Sequence, residues 1–80
     1  MRIVSQDGQM NLSLDIIHLS TGKAMDDFTI NARDSFWDRP VTLAKYSTME
    51  KCQEVFNMII ESCSKGFSVV ILPEDKDVGV

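Results

Sequence analysis

The side chains that could carry acid–base or nucleophilic chemistry are few and scattered along this sequence. The single histidine, His18, follows Asp15, and Ser5 and Asp7 flank an N-terminal turn. In a strand, the spacing of His18 and Asp15 places them on opposite faces, and no motif positions a nucleophile beside them. Ser and Asp next to an Asp-Gly turn are typical of local hydrogen bonds to backbone amides. We therefore expect a structural or surface role for His18, no catalytic residues and no enzymatic activity.

The two cysteines belong to one predicted helix. Cys52 and Cys63 are eleven residues apart, which is roughly 16 Å along a helix axis and too far for a disulfide. Both fall on the apolar stripe of that helix, which favours buried thiols in a reducing cytoplasm over a metal or redox role. With one histidine and no Cys-x-x-Cys, no zinc-ligand spacing is recognisable. We expect neither a metal nor a cofactor.

A polar loop with two adjacent aromatic residues is the strongest candidate for a binding site. Phe36 and Trp37 lie between Arg33 and Arg39, and the loop is closed by Pro40. Trp and Arg are enriched at the energetic centres of protein interfaces. An aromatic ring with a nearby guanidinium also stacks on a base and holds a phosphate. The alternatives are an interface, a ligand pocket, or a Trp37 that caps the core with Phe36 packed beneath it.

A long amphipathic helix organises the rest of the chain, and residues 46–66 predict it. Ser47 is expected to be the N-cap, with Glu50 completing a capping box. Gly66 is expected to take the left-handed position after the last turn. Helical spacing predicts a single apolar stripe made of Cys52, Val55, Phe56, Ile59, Ile60 and Cys63.

The remaining segments predict strands. Asp7-Gly8 is typical of a hairpin turn and joins strands at residues 2–5 and 10–14. Further strands are expected at residues 16–19, 28–30 and 41–46, with a turn at residues 20–23. The apolar residues 67–72 predict a closing strand in the centre of the sheet or under the helix. Residues 73–80 are expected to be a mobile acidic tail.

The expected fold is a single small α+β domain over residues 1–80. It consists of an antiparallel β-meander with one amphipathic helix packed on one face and a C-terminal closing strand. A chain of 80 residues builds one small core, so we also expect a homo-oligomer that buries further surface. The formal net charge of −4 argues against binding to duplex nucleic acid. No segment reads as a signal peptide or a membrane span, which predicts a cytoplasmic protein without a membrane partner.

Three short segments resemble a group of viral proteins. The segments are the opening Met-Arg-Ile-Val-Ser-Gln-Asp-Gly, the middle Leu-Ala-Lys-Tyr-Ser-Thr-Met-Glu-Lys-Cys and the closing Leu-Pro-Glu-Asp-Lys-Asp-Val. Together they resemble short phage and prophage proteins of Gram-positive bacteria. These are distantly similar to the Thoeris anti-defence sponge family, which sequesters cyclic ADP-ribose-type signals between protomers. The resemblance implies an oligomer with a host-defence role in the host-cell cytoplasm. The longer relatives carry an aromatic–Arg–aromatic segment where this sequence has residues 70–72, so no nucleotide site carries over.

These observations lead to one hypothesis and two alternatives. The first is a phage-type, non-enzymatic binding protein that inhibits a host defence protein, with Phe36 and Trp37 as anchors and Arg33 and Arg39 around them. The second is a sponge that sequesters a cyclic nucleotide immune signal at a protomer interface through the same loop. The third is a structural or oligomerising phage component without a ligand.

Overall fold

The structure is a computed structural model that describes residues 1–34 and 39–79. These residues form six strands, one α-helix and two short 3-10 helices. The elements in chain order are β1 (Arg2–Val4), β2 (Asn11–Ser13), a 3-10 helix (Leu14–Ile16), β3 (His18–Ala24), β4 (Asp27–Arg33), β5 (Val41–Tyr46), α1 (Met49–Ser64), β6 (Val69–Ile71) and a second 3-10 helix (Asp75–Asp77). The α+β class predicted from the sequence is confirmed.

The strands are divided between two three-stranded sheets. One sheet is the antiparallel meander β3-β4-β5. The other has the order β2-β1-β6, in which β1 is antiparallel to β2 and parallel to β6. The predicted N-terminal hairpin is confirmed, but it pairs with the closing strand rather than with the meander. A parallel partner for β1 requires a long crossover, and the meander together with α1 provides it.

The turn predicted at residues 20–23 is wrong, because those residues lie inside β3. The chain reverses instead at Met25, which has a φ of 58°. Ser, Thr and Gly are typical of a turn by composition, but here the glycine lets two neighbouring strands approach closely. A Cβ at Gly22 would lie 2.9 Å from Asn31 Nδ2 and 3.3 Å from Thr29 Oγ1 on the adjacent strand. A glycine in this strand marks a close approach between neighbours.

The helix α1 packs on the meander through one narrow face. Its buried residues are Cys52, Val55, Ile59 and Ser62, spaced by three or four residues as one helical face requires. They meet a core that includes Ile30, Ala32, Leu43, Ala44 and Tyr46.

The predicted apolar stripe is therefore wider than the face that the core covers. Phe56 is half-buried, Ile60 is 55% exposed, and Cys63 is exposed rather than buried as expected. Each of these residues follows a buried one by a single position. One position turns a helix by about 100°, so these side chains point past the edge of the core.

The helix begins one residue later than predicted. Thr48, not Ser47, is the N-cap, and its side-chain oxygen accepts a hydrogen bond from Lys51 N at 3.2 Å. The predicted end is confirmed: Gly66 has a φ of 75°. Its N–H donates to Cys63 O at 3.1 Å, and Phe67 N donates to Ser62 O at 3.1 Å. This pair of bonds is the Schellman arrangement that a left-handed glycine permits.

The closing strand β6 lies at the edge of its sheet, so the expected central position is wrong. Val70 is 7% exposed, whereas Val69 and Ile71 are 47% and 66% exposed. After β6, Asp75 accepts a hydrogen bond from Ser47 N just before the helix, and Val78 is buried. The segment that was expected to be a mobile tail thus makes specific contacts with the domain.

Candidate functional site

An open apolar groove runs beside the C-terminal half of α1. It has a volume of about 520 Å³, and its other wall is the first 3-10 helix with the start of β3. The described residues that line it are Leu14, Ile17, His18, Leu19, Phe56, Ile59, Ile60, Cys63 and Ser64. None of these is Lys, Arg, Asp or Glu, and most are apolar, so the groove offers mainly hydrocarbon to a partner.

The groove has a buried floor and a more exposed rim. Ile17 and Ile59 are 7% and 2% exposed and form its floor. Phe56 and Ile60, each one position further around the helix, form one side. Phe56 is half-buried and packs against the core, whereas Ile60 is 55% exposed. Leu14 and Leu19 on the opposite wall are partly exposed. Apolar carbon on both walls is thus open to solvent.

Sequence reasoning did not find this groove. It assigned the whole helix stripe to the core and gave the strand containing Leu19 no role. A signal was present: two adjacent apolar pairs, Val55-Phe56 and Ile59-Ile60, make a stripe broader than one packing contact needs. The opposite wall has no such signal, because its shape depends on a 3-10 helix at Leu14–Ile16 where the sequence predicted strand.

The aromatic–Arg loop begins at the same end of the meander. Arg33 ends β4 and is the cross-strand neighbour of His18, which lines the groove. Arg33 and Arg39 are both exposed, and neither forms an ion pair with a residue in the ranges 1–34 and 39–79. Phe36 and Trp37 lie outside the described residues, so their predicted anchor role stays a prediction.

The predicted local hydrogen bonds of Ser5 and Asp7 are confirmed. Ser5 Oγ donates to Asp7 Oδ1 at 2.6 Å and accepts from Met10 N at 3.0 Å, while Gln9 N donates to Asp7 Oδ1 at 2.9 Å. The bond from Ser5 and that from Gln9 lower the pKa of Asp7 below its ordinary value. The two side chains close the first hairpin and leave no reactive hydroxyl.

The three segments that carry the phage resemblance meet in space. The side chain of Gln6 bonds to Lys45 and to Pro73 O, and Tyr46 Oη donates to Pro73 O at 2.7 Å. The N-terminal segment, the start of α1 and the C-terminal segment are therefore held together by contacts among the three motifs. These contacts give the motifs a structural role.

Asp75 completes this junction at the start of the helix. Its carboxylate accepts hydrogen bonds from Ser47 N at 2.7 Å and Ser47 Oγ at 3.0 Å, and Lys51 Nζ lies 3.3 Å away. The backbone bond from Ser47 is the main cause that lowers the pKa of Asp75, with the hydroxyl and the Lys51 ammonium adding to it. The hydroxyl of Ser47 is engaged here, which explains why the N-cap passes to Thr48.

Burial raises the pKa of two further side chains, Cys52 and Tyr46. Burial raises the pKa of the Cys52 thiol, whose Sγ donates to Thr29 O at 3.5 Å. Burial also raises the pKa of the Tyr46 phenol well above its ordinary value. Both groups therefore stay protonated at neutral pH.

Neither metal-ligand clusters nor spanning helices occur in the described residues. No group of three or more His, Cys, Asp or Glu side chains there could hold a metal ion. No helix in the same ranges has the length and apolar character to cross a membrane.

Comparisons of the chain with protein-family models, curated proteins and solved structures find no match. The resemblance to phage proteins is therefore still a prediction from three motifs. The groove, the chemistry of its lining and the exposed Arg33 opposite His18 are the basis for a functional proposal.

Proposed function

We propose that this protein acts without catalysis by binding a partner protein, and that the apolar groove receives the partner. In the setting implied by the phage resemblance, the partner is a host defence protein that binding inhibits in the host cytoplasm. The observation that carries the proposal is the exposed position of Ile60 and Cys63, with Phe56 half-buried beside them, which leaves part of the helix stripe open to the groove.

The groove is suited to the apolar side chains of a protein segment. Small soluble proteins rarely leave contiguous apolar surface open unless a partner covers it. Covering Phe56 and Ile60 removes hydrocarbon from water, which is the main favourable term in association. An amphipathic helix anchors itself in such a groove through side chains spaced by three or four residues. The uncharged lining supplies contact area and little that would orient a small polar ligand.

The positive side chains near the groove indicate which charges a partner should carry. Arg33 and Arg39 are exposed at the end of the meander. His18, which lines the groove, is the cross-strand neighbour of Arg33. Acidic side chains at one end of the partner segment would lie near these guanidinium groups. Charges at the rim of an interface act mainly on specificity and association rate. We therefore propose a partner segment that combines apolar anchors with acidic residues.

The test uses immobilised protein and a lysate of a Gram-positive host cell. A polypeptide retained by the wild-type protein is identified, purified and titrated against three forms: wild type, Ile60→Glu and Glu54→Gln. Ile60→Glu places a charge in the groove and is expected to weaken binding by about tenfold or more. Glu54→Gln changes the exposed charge on another face of the same helix and is expected to bind as the wild type does. Arg33→Gln is expected to reduce the salt dependence of the affinity.

Two results would overturn the proposal. One is a purified partner that binds Ile60→Glu as tightly as wild type. The other is a melting temperature that rises with a cyclic ADP-ribose-type nucleotide, in wild type and Ile60→Glu alike, with the rise lost in Arg39→Ala or Trp37→Ala. That second pattern would replace the protein partner by a nucleotide signal. Circular dichroism of each variant verifies that the fold is retained.

A further inference from the structure

The strand β6 has one side of its backbone unpaired in the described structure. The sheet order β2-β1-β6 leaves β6 at the edge. Arg2 N donates to Ser68 O at 2.9 Å, and Leu72 N donates to Val4 O at 3.1 Å. Because backbone groups alternate in direction along a strand, the residues at 68, 70 and 72 face β1. Val69 and Ile71 consequently direct their N–H and C=O groups to the free edge.

The side chains of this edge are also apolar and exposed. Val69 and Ile71 are 47% and 66% exposed, and Phe67 just before the strand is 54% exposed. Residues 67–72 contain neither a charged residue nor a proline. Natural sheet edges are normally protected by such residues, by a bulge or by a covering segment. This edge has the composition of a strand that pairs with another strand.

The other outer edges in the described structure differ from it. The edge of β5 is covered by Gln6, whose N–H donates to Leu43 O at 2.8 Å and whose side chain bonds to Lys45. The edge strand β3 is mostly polar and contains Lys23. In β2 the Asn11 carbonyl oxygen accepts a bond from the Arg2 guanidinium at 2.9 Å. The unprotected edge is that of β6.

We infer that β6 pairs antiparallel with β6 of a second copy of this chain, around a two-fold axis at Val70. In this register Val69 of one copy lies opposite Ile71 of the other, and both pairs direct N–H and C=O groups at each other. Four backbone hydrogen bonds follow from symmetry. The exposed aliphatic side chains form cross-strand pairs on the outer face. The β2-β1-β6 sheet of one copy and that of the other then form one continuous sheet across the dimer.

Two-fold symmetry about an axis perpendicular to the sheet gives an antiparallel pair of strands. Lys65 precedes β6 and Glu74 follows it, and each forms an ion pair within its own chain. Lys65 Nζ lies 2.9 Å from Glu61, and Glu74 lies 3.6 Å from Lys76 Nζ. The charges at both ends of β6 are therefore balanced within one copy. What a second copy supplies is the missing neighbour of the edge strand.

The main experiment measures association by sedimentation equilibrium over a range of protein concentrations, for the wild type and three variants. Val69→Pro removes an outward N–H that makes no internal ladder bond, and Ile71→Lys adds a charge to the edge. Each change acts twice across the two-fold axis, so we expect the dimer dissociation constant to rise about tenfold or more. Ile60→Lys adds the same charge in the groove and is expected to leave the constant unchanged. The inference is independent of the proposed function, because the groove and β6 are altered by different substitutions.

Two outcomes would overturn the inference: a wild-type protein that is monomeric at every concentration, or a dimer that both Val69→Pro and Ile71→Lys leave intact. A dimer sensitive to Ile60→Lys alone would assign the interface to the groove. The register is tested in a Cys63→Ser background, where Val70→Cys is expected to form an intermolecular disulfide. The two residues on the axis form a non-hydrogen-bonded pair, whose Cα atoms are about 4.5 Å apart and thus within disulfide range. A matched Ser13→Cys variant on the far strand β2 should not cross-link.

Discussion

The side-chain amide of Gln6 pairs with the backbone of Lys45 as a neighbouring strand would. Lys45 N donates to Gln6 Oε1 at 3.0 Å, and Gln6 Nε2 donates to Lys45 O at 3.1 Å. The second N–H of the same amide donates to Pro73 O at 3.1 Å. One side chain thereby extends the edge of β5 and connects it to the segment that follows β6. Every polar atom of this amide has a partner.

Gln6→Ala is expected to lower the free energy of unfolding by about 1–2 kcal/mol, because three partly exposed hydrogen bonds are lost and water replaces them only in part. The matched control is Gln9→Ala, whose side chain is exposed in the same turn and should cost no more than about 0.5 kcal/mol. Urea denaturation followed by circular dichroism measures both. Equal losses in the two variants would mean that the Gln6 amide contributes nothing specific.

Asp75 makes part of the stability dependent on pH. Its pKa is lowered in the folded protein, chiefly by the N–H of Ser47. The stabilisation is therefore complete above the ordinary carboxyl pKa and is lost as the pH falls through the lowered one. Asp75→Asn is expected to be less stable than wild type at neutral pH, and the difference should shrink towards about pH 2. Thermal melts across this range measure it.

The control for Asp75 is its neighbour Glu74. The Glu74 carboxylate lies 3.6 Å from Lys76 Nζ, and both side chains are largely exposed. Exposed pairs of this kind contribute little to stability. Glu74→Gln is therefore expected to melt close to wild type at every pH. A Glu74→Gln variant with the same pH-dependent loss as Asp75→Asn would assign the effect to general charge rather than to the Ser47 contact.

The sequence predicts what local physical chemistry controls. The hairpin at Asp7-Gly8, the glycine end of α1 and the strand at residues 41–46 all follow from turn chemistry and periodicity, and all are present. What failed depends on contacts between distant residues. Gly22 resembles a turn until Asn31 of the next strand is placed against it. The closing strand is apolar enough for a sheet centre, yet sheet order leaves it at an edge.

The candidate site was harder to predict for the same reason. Its helical wall was identified as an apolar stripe, but periodicity does not say which part of a stripe the core will cover. Its other wall depends on Leu14–Ile16 turning as a 3-10 helix. Ser47 was expected to cap the helix by spacing alone, and Asp75, remote in sequence, engages its hydroxyl instead. Arg33 and Arg39 are exposed, and their expected role in binding stays a prediction.

The two cysteines are expected to differ sharply in reactivity. Cys52 is 0% exposed and burial raises its pKa, whereas Cys63 is exposed on the rim of the groove. Thiolate formation and access together control alkylation. Native protein should therefore react rapidly with one equivalent of a thiol reagent, and denatured protein with two. Cys63→Ser should abolish the rapid phase. Rapid labelling of Cys63→Ser would show that the core around Cys52 opens readily.

Ile59 and Ile60 are neighbours in sequence whose substitutions distinguish the covered face of α1 from the open one. Ile59 is 2% exposed, so Ile59→Ala leaves a cavity and should cost about 2–5 kcal/mol. Ile60 is 55% exposed, so Ile60→Ala should cost no more than about 1 kcal/mol in the free protein. Denaturant titration at one protein concentration compares them. Equal costs would mean that the groove is closed over Ile60 in solution, by the chain itself or by a second copy. Repeating the titration at higher protein concentration separates these two cases, because only a second copy makes the Ile60 cost depend on concentration.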